Sequence, residues 1–167
     1  MNRHYHHSLY KKIGIHDKTK YAVDITKLNG FGTSALGLLP KINEAYSIFQ
    51  EEVYSPCDGK VLKVVNHIHE NIPFSGIYPK DLGNRILIKT SEFIIMICHF
   101  QNGSIVVKEG DQIKKGALLG QVGNSGWSDQ PHLHIQANHI DDSTSIGEGI
   151  PIFFDGKNPI KNTLFFK

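Results

Sequence analysis

Pro131-His132-Leu133-His134-Ile135 sets two imidazoles two positions apart in an apolar setting. Side chains on a β-strand alternate between its faces. If this run is a strand, His132 and His134 share one face and Leu133 turns into a core. Two imidazoles side by side on a rigid strand suit a metal ligand and a group that gives or takes a proton. The bland alternative is a solvent-exposed His-x-His with no role, and the surrounding sequence decides between the two.

The elements around the motif read as β-structure. Residues 27–50, with Gly30, Gly32, Gly37 and Pro40, form mainly a long loop. From residue 52 the pattern turns to strands. Asp58-Gly59 is a turn before Val61–Val65. Residues 67–83 form an excursion. Arg85–Lys89 and Phe93–Cys98 are adjacent strands joined at Thr90-Ser91-Glu92, a hairpin. Short strands are expected at Ala22–Thr26, Ser104–Val107, Ala117–Val122 and Leu133–Asn138. A further strand is expected at Ile150–Phe154, and Phe165-Phe166 packs back on the body. Helix signals are weak throughout, and residues 1–20 read as an irregular polar segment. Many short, closely spaced strands predict an all-β fold, an open antiparallel β-sandwich with long loops.

At 167 residues the chain fits a single domain, residues 1–167, able to bury a real core. Hydrophobic content of 40% and charged content of 20% are ordinary globular values. A net charge of +2 with scattered Lys and Arg argues against nucleic-acid binding. No apolar run reaches transmembrane length, and Met1-Asn2-Arg3-His4 opens no signal-peptide core. Cys57 and Cys98 lack metal-type or redox spacing. They read as small buried residues beside strands, and the sequence leaves open whether they pair. Ten histidines are the compositional outlier, with His4, His6, His7 and His16 near the start.

The order of motifs resembles the lysostaphin/LytM-type zinc metallopeptidases. The resemblance runs through Tyr21-Ala22-Val23-Asp24-Ile25, Tyr54-Ser55-Pro56-Cys57-Asp58-Gly59-Lys60-Val61 and Gly83-Asn84-Arg85-Ile86-Leu87-Ile88. It continues with His99 at the end of an apolar strand, Gly110-Asp111, Lys115-Gly116 and Gly123-Asn124-Ser125-Gly126, and ends with Pro131-His132-Leu133-His134. It implies an all-β, LytM-like fold and a Zn2+ cofactor. The implied activity is metalloendopeptidase cleavage of peptide bonds in peptidoglycan cross-bridges or stem peptides, or in glycine-rich peptides. The cell envelope or the exterior is the expected location. By resemblance Asp24 and His134 are metal ligands, and His99 and His132 are non-ligand histidines beside the metal-bound water.

One position departs from the family. Its commonest pattern places a ligand histidine four residues before the aspartate, where this chain has Lys20. A protonated ammonium cannot ligate zinc. Some relatives carry an upstream Asn-x-His segment, and Asn2-Arg3-His4 resembles it with extra residues before Tyr21. His4 is therefore the expected third ligand, with His16, then His6 or His7, as alternatives. His67 and His69 share the His-x-His spacing without partner motifs and read as loop residues.

Two other functions fit parts of the sequence. Family members that have lost site residues bind or activate other cell-wall hydrolases, and the missing ligand at Lys20 leaves that reading open. Val107–Gly116 also resembles part of a biotinyl/lipoyl carrier domain, but neither Met1 nor Met96 adjoins a lysine. That reading also leaves the histidines without a role.

Overall fold

The computed structural model describes residues 18–141, 146–154, 156 and 159 in full, and the backbone alone of residues 2–4. Among the described residues ten strands carry the fold: β1 (Asn2–His4), β2 (Val23–Thr26), β3 (Glu52–Tyr54), β4 (Gly59–Val65), β5 (Arg85–Lys89), β6 (Phe93–Cys98), β7 (Gln112–Ile113), β8 (Leu118–Gln121), β9 (Leu133–Ile140) and β10 (Ile146–Ile150). The described residues include no α-helix, only a 3-10 turn at Asn43–Ala45. The large sheet runs β1-β2-β9-β6-β5-β4-β7 and its pairings are antiparallel. A second, two-stranded sheet pairs β3 with β8. This is the expected all-β, open antiparallel arrangement.

β9 is the spine of the large sheet. It pairs with β6 from Cys98↔His134 to Phe93↔His139. It also takes β2 opposite Leu133–Ile135 and β10 opposite Ala137–Ile140. β5 and β6 form the expected hairpin, and Thr90 Oγ1 accepts from the backbone N–H groups of Glu92 and Phe93 at its turn.

Strand alternation divides the large sheet into two faces. Val23, Ile86, Ile88, Ile95, Ile97 and Ile135 enter the main core with Val53 and Leu119 from the smaller sheet. Leu87, Ile94, Met96 and Cys98 form a separate apolar cluster. In the ladder Cys98, Met96 and Ile94 lie opposite His134, Gln136 and Asn138. The face that holds this smaller cluster therefore continues into a row of polar side chains.

Several strand boundaries differ from expectation. Asn2–His4 is a strand rather than irregular chain, because it adds to the edge of β2. Ser104–Val107 is not a strand. The Ile105 N–H goes to Asn66 Oδ1 and the Val106 N–H to Leu119 O, so no ladder forms. The strand expected at Ile150–Phe154 lies earlier, at Ile146–Ile150. Pro151, which has no N–H, follows its end. Phe165 and Phe166 lie outside the described residues. Cys57 and Cys98 are both free thiols. Cys98 is fully buried, and burial pushes its thiol up to about 12.

Candidate active site

Antiparallel pairing of β2 with β9 sets Asp24 directly opposite His134. His134 Nδ1 lies 2.8 Å from Asp24 Oδ1, and His132 Nε2 lies 3.7 Å from the same oxygen. The His99 ring centroid is 4.6 Å from that of His132 and 5.8 Å from that of His134. All four side chains are buried. The fold thus gathers Asp24, His99, His132 and His134 in one place, from three strands or strand ends.

The partners of each ring fix its proton. A carbonyl oxygen only accepts. His99 Nδ1 faces Ser125 O at 2.8 Å, and His132 Nδ1 faces Gln130 O at 2.8 Å. Both rings therefore carry a proton on Nδ1, so in the neutral form of either ring the lone pair is on Nε2. Burial pushes the His132 pKa down to about 4, against the smaller upward pull of the Gln130 carbonyl, so this ring is neutral at pH 7.

His134 has the opposite arrangement. Its Nε2 faces Gln136 Oε1 at 3.0 Å, so Nε2 is the donor and Nδ1 holds the lone pair. That lone pair meets the Asp24 carboxylate oxygen. Burial holds the His134 pKa below its ordinary value, which disfavours a second proton on the ring. Two facing acceptors 2.8 Å apart need a positive charge between them, either a proton or a metal cation. A nitrogen and a carboxylate oxygen are the donor types that zinc takes, and the pair fits such an ion.

His99 reaches the site through its backbone. It follows the last residue of β6 with φ of 67°, in the left-handed region that costs a non-glycine residue about 1–3 kcal/mol. The Ser125 carbonyl that holds its ring is itself clamped. Ser125 Oγ accepts from Asn84 N and donates to Phe100 O. Beneath it, Gly83 and Gly126 cross at a separation that no β-carbon fits. The motif Gly123-Asn124-Ser125-Gly126 thus acts as a clamp for His99 rather than as a ligand loop.

The third expected ligand is reached only in part. β1 pairs with β2 in a register that sets His4 opposite Asp24. His4, Asp24 and His134 therefore stand in successive strands at one level of the sheet. The His4 side chain, and His6, His7 and His16 altogether, lie outside the described residues. The Nζ of Lys20 sits 5.3 Å from the centroid of the Tyr21 ring. Among the described residues, no group of three or more His, Cys, Asp or Glu side chains converges as a metal-holding set. His67 and His69 lie in the loop after β4, as expected.

The sequence reading missed Gln136 and Asn138. Both are buried and continue the row begun by His134. Their alternate spacing, His134-x-Gln136-x-Asn138, was the available signal, because period two puts all three on one face.

The stretch that holds the three histidines, residues 45–146, matches the family model for peptidase family M23. The chain belongs to peptidase family M23. The match covers His99, His132 and His134 and leaves Asp24 and His4 outside it. Among solved structures, this M23 chain is similar to the antimicrobial peptidase lysostaphin from Staphylococcus simulans, with 21% identity and a TM-score of 0.52 over 89% of this chain and 46% of that one. It is similar to a zinc-containing peptidase from Vibrio cholerae, with 30% identity and a TM-score of 0.42 over 56% of this chain and 24% of that one. It is also similar to a point mutant of the catalytic domain of the prophage-encoded M23 protein EnpA from Enterococcus faecalis, with 23% identity and a TM-score of 0.46 over 71% and 85% of the two chains. The chain thus spans about a quarter of the Vibrio cholerae protein and under half of lysostaphin. No curated protein matches it significantly. Among the described residues no helix is long and apolar enough to cross a membrane.

Proposed function

We propose that this M23 chain is a zinc-dependent endopeptidase that hydrolyses peptide bonds in peptidoglycan cross-bridges or stem peptides, at the cell envelope or outside the cell. The observation that carries the reading is the contact of His134 Nδ1 with Asp24 Oδ1, two lone-pair donors 2.8 Å apart. Asp24, His134 and His4 would hold the metal. His4 is included because its register position is opposite Asp24. Bound there, zinc would supply Lewis acidity toward the scissile carbonyl and would acidify a water toward neutral pH.

The chain's own residues then handle protons. With Nδ1 tied to a carbonyl, His132 and His99 each accept a proton only at Nε2. A neutral imidazole at this place is a competent base for the attacking water. Once protonated, the same Nε2–H becomes a donor for the developing oxyanion or the departing amine. The carboxylate oxygen of Asp24, 3.7 Å from His132 Nε2, would stabilise that transient charge.

Purified protein supplied with zinc should hold about one ion per chain and release it to a strong chelator, with loss of peptide hydrolysis. His4→Ala should weaken zinc binding by about tenfold or more, since two protein ligands leave most of the coordination shell to water. His6→Ala, His7→Ala and His16→Ala should not. A tenfold loss with His16→Ala instead would move the third ligand. Protein that stays zinc-free would favour the second reading, a module that binds or activates other wall hydrolases. The observation behind that rival is Lys20, which stands where the commonest family pattern has a ligand histidine.

A further inference from the structure

Gln136 and Asn138 are 2% and 0% exposed, on the face that also holds Ile94, Met96 and Cys98. Apolar side chains there would simply extend that cluster. Buried amides are costly unless every polar atom is satisfied, so their arrangement has to be accounted for atom by atom.

The accounting runs inward from the backbone. Asn138 Nδ2 donates to Lys18 O at 2.6 Å and to Gly147 O at 3.0 Å. Two carbonyls can only accept, so this end of the amide must be the nitrogen. Asn138 Oδ1 is then an acceptor, and Gln136 Nε2 donates to it at 2.8 Å and to Lys18 O at 3.1 Å. Gln136 Oε1 is left facing His134 Nε2 at 3.0 Å, where it can only accept. Each orientation forces the next. The direction of the whole row is set by two main-chain carbonyls, one before β2 and one on β10.

We propose that Gln136 and Asn138 are positioning residues that hold the His134 proton on Nε2, and so keep its Nδ1 lone pair aimed at Asp24 for a metal cation. This rests on the metal reading above. Without the row, the Asp24 carboxylate would draw the single ring proton to Nδ1, and that nitrogen could no longer ligate. Metal-binding histidines are generally oriented by an acceptor on the far ring nitrogen. Here that acceptor is itself oriented by a second amide.

The test uses the full chain and zinc ion, with two readouts independent of hydrolysis. Zinc affinity is measured by competition with a chromophoric chelator for the unmodified protein, Gln136→Met and Asn138→Ser. The imidazole N–H of His134 is followed by nitrogen-15 NMR in the zinc-loaded forms, with thermal melting of the metal-free forms as the check on folding. Gln136→Met should weaken zinc binding by about 10- to 100-fold, and the protected Nε2–H signal should disappear into solvent exchange. Asn138→Ser leaves the His134–Gln136 contact in place but frees the amide to turn. It should show a smaller affinity loss in the same direction, and it carries the test if Gln136→Met does not fold. Unchanged affinity and an unchanged Nε2–H signal in the variants, with normal zinc binding by the parent, would overturn this inference and leave the metal reading standing. A parent protein that binds no zinc would overturn the metal reading itself, and this inference with it.

Discussion

Replacing His132 with alanine is expected to lower the rate of peptide hydrolysis by about 100-fold or more while zinc stays bound, and His99→Ala should do the same. The expectation follows from the tautomers. Both rings are pinned through Nδ1 to main-chain oxygens, Gln130 O and Ser125 O, so neither offers Nδ1 to a metal. The His132 ring is neutral at working pH, which leaves its lone pair on Nε2, and in His99 the second nitrogen available for a proton is likewise Nε2. Alanine removes the proton carrier and leaves Asp24 and His134 in register on their two strands. Steady-state kinetics on a peptide substrate, paired with metal analysis of the same samples, checks it. His132→Ala protein that lost zinc yet kept its rate would mean that the roles of the two His-x-His residues are reversed.

The second large effect is structural. Gly126→Ala is expected to destabilise the protein by about 2–5 kcal/mol, combining the left-handed penalty with forced overpacking. Gly126 sits at φ of 76°, and a β-carbon there would lie 2.6 Å from Asp81 O and closer still to the backbone of Gly83. None of these atoms is the end of a flexible side chain, so the two loops must part. In a chain of this size that corresponds to a melting temperature lower by about 5–20 °C. Parting the loops also moves the neighbouring Ser125 carbonyl that holds His99, so the surviving folded protein should hydrolyse more slowly. A melting temperature unchanged within about a degree would show that the crossing is looser than described.

The core of the site was legible because its signals are local. His132-Leu133-His134 declares a strand with two histidines on one face. Phe93–Cys98 followed by His99 declares a buried strand with a polar end. What was less legible depended on pairing between distant segments. Nothing in Asn2-Arg3-His4 gives a register, and its place opposite Asp24 comes from adding a strand to an edge. The family match itself stops short of both residues. β10 lies earlier than the expected Ile150–Phe154 and contains Gly147 and Gly149, residues with low strand propensity. A β-carbon at Gly147 would lie 3.1 Å from His139 O, so the glycine marks a close strand approach. In the sequence Gln136 and Asn138 are ordinary strand positions, because their meaning lies in where the Lys18 and Gly147 carbonyls fall.

The distance along the chain between Asp24 and His134 has a bearing on how the protein is made. The two residues are 110 positions apart. At ordinary rates of synthesis, about 5–20 residues per second, β2 leaves the ribosome roughly 5–20 s before β9. During that interval the ladder neighbour β2 has among the described residues is β1, and an isolated pair of strands is marginal in water. The growing chain therefore carries the Asp24 carboxylate well before any of His99, His132 and His134 exists to face it. On the function proposed above, a nascent chain of this topology stays inactive until nearly all of the described sheet has been translated.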